Sequence, residues 1–356
     1  MDHRHYERAV ALARRVRDTF PPKMKWMWGE ALLGFSLARL DEHAKTDEFS
    51  AFLKAYCDHY AAHPPIVDQS DTAAPGLIAW AVAKKTGDQR HRALADKVLD
   101  YVRNEPRLIE DSVNHLGNSF VGKIYPKSIW VDSIMMFSVF PAIVARDTGD
   151  DGLMAIAARQ PRVMAKYMMD PDRGLWYHSY WVRQKTHYPR RPIFWARGNA
   201  WVVAALPMIL ETVGNHPERA TIEDVFRKTC AAVLPFQRSD GTFSTVLGHP
   251  HTYRELSATA LFASGFLAGS RLGLLDGRYR DAGARAFEAV VGAFVETPSG
   301  PSLPEVSDPT IPLPLFPYLG YALVPRHRDW SYGIAATLFA AVEYDRAATM
   351  AAREDA

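Results

Sequence analysis

The feature that most constrains this chain is a repeated pair of helical segments divided by a turn that contains glycine. The turns lie at Thr86-Gly87-Asp88, Thr148-Gly149-Asp150, Val213-Gly214-Asn215 and Leu272-Gly273-Leu274. Before each turn the segment is rather apolar, in places nearly all round, whereas the segment after the turn is more amphipathic. A helix that is apolar on every side has to be buried on two sides. The pattern therefore predicts helical hairpins in which the first helix is inner and the second is outer.

Apolar residues recur at helical spacing almost throughout, and the alternating runs typical of a sheet are scarce. Turn signals predict about twelve helices. They lie near 4–19, 26–42, 46–62, 72–86, 88–103, 127–147, 151–169, 197–213, 218–236, 255–273, 277–296 and 329–346. Six such hairpins close naturally into a ring, so we predict an all-α (α/α)6 toroid. An open helical solenoid, which would need polar caps at both ends, remains the alternative.

The connections that lead into the predicted inner helices are long. They span roughly 104–126, 170–196, 237–254 and 297–328. If the inner helices point the same way, these loops and the helix N-termini together form one cleft at one mouth of the ring. The Pro and aromatic residues of 299–325 predict a rigid loop over that mouth rather than a linker. We therefore predict one domain that spans residues 1–356.

Charge and composition exclude several classes of partner. The chain has 42 basic and 40 acidic residues and a net charge of +2, without a long basic run, so we expect neither nucleic acid nor a membrane surface as partner. Cys57 and Cys230 each lie within a helical pattern, which favours reduced thiols over a disulfide. The polar segment 1–8 and the absence of a long apolar stretch lead us to expect a cytoplasmic protein.

Aromatic and charged residues gather where the inner helices are predicted to begin. They are Trp26, Trp28, Glu30, Asp68, Asp71, Trp130, Asp132, Trp195, Arg197, Asn199, Trp201, Arg254, Glu255, Asp329 and Trp330. Sugars stack their C–H faces on aromatic rings and offer hydroxyls to charged groups, so this set predicts a sugar site. A structural interpretation stays open, in which Trp side chains brace the helix starts and Asp71 caps the helix that begins at Thr72.

Asp132 differs from the other acidic residues because it lies in the first turns of an otherwise apolar inner helix. It follows Trp130 and precedes the segment 134–137, Ile-Met-Met-Phe. Burial disfavours the charged form of a carboxyl group, so we expect a raised pKa for Asp132. His178 lies among aromatic residues in the long loop before Arg197, where it could bind substrate or tune a carboxylate. A purely structural role for either residue remains open.

The sequence lacks the motifs of several other kinds of functional site. The chain has no Gly-rich phosphate loop, no paired-Cys or His-x-x-x-His metal spacing and no Gly-x-Ser-x-Gly elbow. We therefore expect neither a metal nor a cofactor.

Four motifs resemble, in order and spacing, the unsaturated rhamnogalacturonyl hydrolases of glycoside hydrolase family 105, and the related unsaturated glucuronyl hydrolases of family 88 are similar too. The motifs are Asp71-Thr-Ala-Ala-Pro75-Gly76, Trp130-Val-Asp132-Ser-Ile-Met-Met, Trp195-Ala-Arg197-Gly198-Asn199-Ala-Trp201 and Glu255-Leu-Ser257-Ala258-Thr259-Ala. The likeness covers about residues 20–345, and the Trp-x-Arg-Gly-Asn-x-Trp motif is its most specific part.

The resemblance implies the (α/α)6 toroid and a metal-free enzyme that removes a 4,5-unsaturated uronic acid from an oligosaccharide. The carboxyl group matching Asp132 would protonate C4 of the C4=C5 double bond and assist water in adding at C5, after which the hemiketal opens and releases the linked sugar. Asp71 would match a second carboxylate that orients substrate or water. His178, Trp195, Arg197 and Trp201 would line the subsite for the unsaturated sugar.

We add further substrate-binding candidates to these. Arg197 is a natural partner for the sugar carboxylate, which is our inference from its chemistry. Trp28, Trp130 and Lys123 complete the set of expected substrate-binding residues. Many relatives carry a His shortly before the Trp-x-Asp motif, whereas Gly122 lies near that place here, so the choice of the neighbouring sugar stays open. We expect short imported oligosaccharides as substrates; the oligomeric state is open as well.

Three competing functions remain at this point. An inverting hydrolase of saturated uronides would use Asp71 and Asp132 as base and acid, with the carboxyl groups about 6.5–9.5 Å apart. A sugar epimerase would need basic His residues at the starts of the inner helices, where this chain has Asp, Trp and Arg. A non-enzymatic helical-repeat scaffold would gain nothing from a carboxylate within an apolar inner helix.

Overall fold

The computed structural model describes residues 1–21 and 23–354, and twelve long helices alternate between two rings in that part of the chain. The outer helices are α1 (His3–Thr19), α3 (Ser50–Ala62), α5 (Gln89–Asn104), α7 (Asp151–Met168), α9 (Arg219–Val233) and α11 (Gly277–Gly292). The inner helices are α2 (Trp28–Ala44), α4 (Gly76–Thr86), α6 (Val139–Thr148), α8 (Ala196–Leu210), α10 (Leu256–Arg271) and α12 (Ser331–Glu354).

The inner ring is closed. Helix α12, the last in the chain, packs against both α10 and α2, the first inner helix, and α1 packs against α12 from outside. Closure removes the two exposed ends that an open solenoid would have to cap. The predicted (α/α)6 toroid is confirmed, and the open solenoid is wrong.

Burial follows the predicted division into inner and outer helices. Every residue of α8 is buried, and α10 is buried from Leu256 to Gly269. In the outer helix α5 burial is confined to one face, which includes Leu94, Val98 and Val102. Gly87 and Gly149 end α4 and α6 with φ of 67° and 72°, the left-handed conformation that glycine adopts without a Cβ clash.

Two predicted helices are interrupted. The segment predicted as 72–86 is a short turn, Ser70–Ala73, followed by α4, because Pro75 precedes the first residue of α4. The segment predicted as 127–147 begins as a strand, Ser128–Trp130, and continues as a wide π-helical turn, Ile134–Ser138, before α6. Pro141 has no N–H to donate to the residue four positions before it, and the wide turn lies directly before this proline.

Short strands, which the helical periodicity did not predict, tie the long loops together at one mouth. The largest sheet is antiparallel and joins Ser128–Trp130, Ser179–Trp181 and Thr186–Tyr188. Its register pairs Trp130 with Ser179. The strand before Asp132 is therefore held beside the loop that carries His178.

Two expectations about the chain as a whole can be compared with the structure. Cys57 and Cys230 are buried and unpaired, as predicted for reduced thiols. A search of the described residues finds no helix with the length and apolar character that a membrane span requires.

Candidate active site

Asp132 lies at the point where the strand Ser128–Trp130 turns into the inner ring. Its backbone carbonyl accepts hydrogen bonds from the N–H groups of Met135 and Met136, which start the wide turn. Its side chain is 14% exposed, so the carboxyl group is mostly buried but still reaches the cleft. The prediction that Asp132 begins an apolar inner segment is thereby confirmed.

His178 is the neighbour of Asp132 in the cleft. The N–H of Val131 donates a hydrogen bond of 2.9 Å to the carbonyl of His178, which fixes the two segments side by side. Nε2 of His178 lies 3.4 Å from Oδ2 of Asp132. Nδ1 on the opposite side of the ring is 3.0 Å from the Tyr321 hydroxyl. The imidazole is thus held between a carboxylate and a phenol.

Asp71 has a histidine neighbour of its own, which sequence reasoning missed. Nε2 of His115 lies 3.5 Å from Oδ1 of Asp71, and Nδ1 of the same ring is 2.8 Å from the Ser133 hydroxyl. The ring of His115 stacks on that of Trp130 at 4.4 Å. The sequence feature that could have identified His115 is its position in the long loop 104–126, before the Trp130 motif. In the family resemblance a histidine was expected nearer to Gly122.

The two carboxyl groups differ in proton affinity. Burial, helped by the nearby charge of Asp132, raises the pKa of Asp71 to about 8. Burial acts on Asp132 in the same direction, but contact with His178 and the charge of that ring outweigh it, so the pKa of Asp132 lies below its ordinary value. The expectation of a raised pKa for Asp132 is therefore wrong. At neutral pH the pair holds one proton, and it resides on Asp71.

Burial also lowers the pKa of His115 to about 4, so that this ring is neutral at neutral pH. A neutral His115 does not compensate a charge on Asp71. This agrees with the protonated state of that carboxyl group.

The tryptophans of the predicted sugar site are not equally accessible. Trp130, Trp195 and Trp201 are buried, with 4%, 3% and 1% of their surface exposed. Trp195 stacks on His178 at 4.4 Å, and Trp130 meets the edge of the same ring at 5.3 Å. These side chains form the wall that holds His178. Trp28 is only partly buried and packs against Tyr332 and the edge of Trp201.

Arg197 is buried beside the loop that covers the mouth. It is 1% exposed, and its guanidinium donates to the carbonyls of Ser307 and Asp308 at 3.0 and 2.8 Å and also to the Ser307 hydroxyl. The guanidinium of Arg197 also lies over the rings of Trp195 and Tyr332, 4.7 and 4.9 Å from their centroids. Nη1 and Nη2 donate to the 307–310 segment, whereas Nε has no hydrogen-bond partner among the described residues. The inferred role of Arg197 in binding the carboxylate stays a prediction.

Glu255 completes this buried cluster. Its carboxylate lies 3.9 Å from the Arg197 guanidinium and accepts hydrogen bonds from the N–H groups of Ser257 and Ala258, which begin α10. It also accepts a bond of 3.2 Å from the N–H of Ser307. Arg197 and Glu255 together anchor the loop that covers the mouth.

Lys123 lies on a short helix, Phe120–Ile124, and is exposed at the rim. Tyr125, two residues further on, contacts the ring of Trp130 at 5.7 Å and donates a hydrogen bond to the carbonyl of Pro312. The rim helix is thereby connected to both the site and the covering loop. Lys123 itself has no ion-pair partner among the described residues.

A group of possible metal ligands lies elsewhere, between α3 and α5. It consists of Asp58, Asp88 and His91. Nδ1 and Nε2 of His91 are already engaged by Thr86 and Asp58, at 3.1 and 2.9 Å, and Asp88 caps α5 by accepting from Arg90. These contacts account for the cluster as a structural one.

Comparisons with known proteins cover most of the chain. The sequence profile of Glycosyl Hydrolase Family 88 matches residues 4–348. The unsaturated rhamnogalacturonyl hydrolase YesR of Bacillus subtilis is 27% identical over 271 residues, which are 73% of this chain and 75% of that protein. An unsaturated 3S-rhamnoglycuronyl hydrolase of Alteromonas is 25% identical over 64% of this chain and 57% of that protein.

Solved structures show the same fold at lower sequence identity. A family 105 glycoside hydrolase of C. acetobutylicum has a TM-score of 0.85 and 22% identity over 95% of this chain and 99% of that one. The unsaturated glucuronyl hydrolase of Bacillus sp. GL1 has a TM-score of 0.76 and 17% identity over 96% of this chain and 97% of that one. At such identities the likeness concerns the fold alone.

Proposed function

Since this chain belongs to glycosyl hydrolase family 88 and is a glycoside hydrolase, we propose that it releases a 4,5-unsaturated uronic acid from the non-reducing end of short oligosaccharides, in the first place from rhamnogalacturonan fragments. The relative YesR, named as an unsaturated rhamnogalacturonyl hydrolase, supports the choice of substrate. The observation that carries the proposal is the arrangement of two carboxyl groups at the mouth of the ring, each beside a histidine: Asp132 lies 3.4 Å from His178 and Asp71 lies 3.5 Å from His115.

Hydration of a C4=C5 double bond requires one proton at C4 and one hydroxide at C5. We assign both exchanges to Asp132, the carboxylate beside His178, and the storage of the proton to Asp71, whose pKa is raised to about 8. The proton passes from Asp71 to Asp132 and then to C4, and the Asp132 carboxylate next takes a proton from the water that attacks C5. The proton returns to Asp71. The hydrated C5 is a hemiketal, which opens and leads to release of the linked sugar.

The roles of the surrounding residues follow from their positions. His178 orients Asp132, and Tyr321 holds His178. Trp28, the partly exposed tryptophan of the set, provides the ring on which the sugar stacks. Lys123 at the rim interacts with anionic groups of the neighbouring sugar. Trp130, Trp195 and Trp201 bind substrate only at their exposed edges and mainly shape the wall.

A second candidate is an inverting hydrolase of saturated uronides. The division of the pair into a protonated Asp71 and an ionised Asp132 is also what such an enzyme needs for its acid and its base. Here Asp71 would be the acid and Asp132 the base, the reverse of the assignment that the sequence suggested. The two reactions leave different products, so one assay separates them.

We further propose that the enzyme acts in the cytoplasm on short oligosaccharides. The two buried, unpaired cysteines support a reducing compartment.

The test follows ultraviolet absorbance with unsaturated disaccharides that a lyase has generated from rhamnogalacturonan, and then from other uronate polymers. Hydration destroys the conjugated enoate chromophore. We expect absorbance to fall with a rhamnogalacturonan disaccharide and to stay constant with Asp132→Asn. Constant absorbance with every unsaturated substrate, combined with release of saturated uronic acid from ordinary uronides, would establish the second candidate instead.

A further inference from the structure

A large cavity of about 1060 Å³ lies at the end of the toroid opposite the catalytic carboxylates. Its lining comes from the C-terminal part of α2, the start of α3, the helices α4 and α6 along their length, and residues around the end of α8. Asp132 and Asp71, by contrast, precede the N-termini of inner helices. The turns between α4 and α5 and between α6 and α7 are short at this end. Neither turn is long enough to extend over the cavity as the long loops extend over the catalytic mouth.

The floor and the rim of the cavity differ in chemistry. The floor contains large apolar side chains, among them Phe35, Leu77, Phe140, Ile143 and Met208. The lining includes seven basic side chains against four acidic ones. An apolar floor beneath an excess of positive charge is suited to a ligand with an apolar body and a negative group.

Basic residues at the C-terminal ends of helices have a structural explanation, since they compensate the helix dipoles. Several of those at the rim are also paired, as Lys85 is with Asp47 and Lys84 with Asp147. The explanation does not cover Arg39. Its side chain is 14% exposed and makes no hydrogen bond among the described residues, and the nearest carboxylates, Glu211 and Glu343, are 3.8 and 3.7 Å away.

Those carboxylates already have other partners. Arg271 binds both Glu211 and Glu343, and Arg346 binds Glu343. The cluster of these five side chains therefore contains three guanidinium groups and two carboxylates, all mostly buried. A buried charge without a full partner is costly, and an anion in the cavity would complete the cluster. Lys45, exposed at the rim, adds a cation that has no ion pair among the described residues.

We propose that this cavity binds a small amphiphilic anion, a carboxylate or sulfonate with an aromatic or branched apolar body. The anionic group pairs with Arg39, and the body lies on Phe35, Phe140 and Met208. The volume is at the upper limit of pockets that hold small organic ligands. A sugar fits less well, because hydroxyl groups would face the apolar floor. The site is separate from the catalytic centre, and its existence does not depend on the proposed reaction.

The probe is 2-naphthoate, with the neutral 2-naphthamide as its matched control, titrated calorimetrically into the full chain. We expect saturable binding of one naphthoate per chain, at least tenfold tighter than that of the amide. Asp71→Asn, a change in the catalytic site, leaves this affinity unaltered. No binding of naphthoate, or equal affinity for acid and amide, would overturn the proposal.

Three variants locate the site. Arg39→Gln weakens naphthoate binding about tenfold but changes amide binding less than twofold, because only the ion pair is lost. Lys45→Gln changes an exposed residue at the rim and weakens naphthoate binding about twofold to fivefold. It tests whether positive charge at the rim contributes to binding even if Arg39→Gln does not fold. Ala81 is part of the cavity lining, so Ala81→Trp places a bulky side chain in the cavity and abolishes the binding of both probes. Arg278→Gln, at an exposed ion pair elsewhere, is the control.

Displacement with inorganic ions separates an amphiphilic site from a simple anion site. We expect chloride and phosphate to compete only weakly. If either displaced naphthoate with an affinity equal to that of naphthoate itself, or if Ala81→Trp left binding unchanged, the proposed amphiphilic ligand would be excluded.

Discussion

His178 and Asp132 face each other in the cleft with Nε2 3.4 Å from Oδ2, and neither atom has a hydrogen-bond partner elsewhere in the described residues. The ring cannot turn freely, because Tyr321 contacts its other nitrogen and Trp195 stacks on its face. The contact lowers the pKa of Asp132, so the proton of the carboxyl pair remains on Asp71. Four predictions concern these residues and their neighbours, and a fifth concerns Arg197.

Asp132→Asn should reduce kcat by about a thousandfold, because general acid–base catalysis contributes on the order of 10²–10⁴ to rates. The thermal midpoint should change little, since the amide has nearly the same shape. Loss of ultraviolet absorbance measures kcat, and Asp172→Asn, at an exposed carboxylate in the loop before His178, is the matched control. Retention of more than a few per cent of activity would remove Asp132 from the central role.

The wild-type enzyme should lose activity as the pH rises through about 8. Asp71 has to be protonated to supply the proton for C4, and its pKa is raised to about 8 by burial and by the charge of Asp132. The profile of kcat/KM against pH reports ionisations of the free enzyme and is therefore the measurement. A profile that stays flat to pH 10 would contradict the assignment of the stored proton to Asp71.

Asp71→Asn should make the fold more stable at pH 8 and have less effect at pH 5. In the wild type the folded state keeps this proton up to about pH 8, whereas the unfolded state releases it near its ordinary pKa, so stability is lost as the pH rises between the two values. The expected gain in free energy of unfolding at pH 8 is on the order of 3 kcal/mol.

Urea denaturation of both proteins at the two pH values measures this gain. Asp172→Asn again serves as control, and its stability difference from the wild type should not depend on pH in this window. A destabilised Asp71→Asn at pH 8 would show that Asp71 is ionised in the folded protein.

Tyr321→Phe should lower kcat about tenfold and leave KM nearly unchanged. The hydroxyl fixes His178 from the side opposite Asp132, so its loss affects the orientation of the imidazole rather than the binding surface. Tyr318→Phe is a close control, because Tyr318 lies on the same short helix and its hydroxyl contacts the exposed His251. Equal effects of the two variants would point to a general disturbance of the helix.

Arg197→Lys should destabilise the fold by about 2–4 kcal/mol, because a lysine cannot replace the several hydrogen bonds to the 307–310 segment and leaves Glu255 buried with a poorer partner. Binding of an unsaturated uronate and of its neutral analogue should weaken by the same factor. Arg254→Lys, at an exposed pair with Glu305, should cost less than about 1 kcal/mol. A larger loss of affinity for the charged sugar than for its neutral analogue would show that Arg197 binds the carboxylate.

Much of this site could be predicted from the sequence. Asp132 was found because a carboxylate is unusual at the start of an apolar segment, and Asp71 because its motif matches a family in order and spacing. His178 was found because it lies among aromatic residues in the long loop before Arg197. His115 was missed, since the distance along the loop from His115 to Trp130 does not indicate that the two rings stack. The hydrogen bonds of Arg197 to Ser307 and Asp308 were missed, because a sequence motif does not say which segment a side chain contacts in space.

By itself, the sequence determined the alternation of inner and outer helices, because apolar periodicity and glycine turns act locally on each segment. The tertiary structure decided the rest. Closure depends on the packing of α12 against α2, which are distant in the chain. The raised pKa of Asp71 depends on burial and on the charge of Asp132, and the lowered pKa of Asp132 depends on its contact with His178. Such energies are set by distances through space, and local sequence patterns do not contain them.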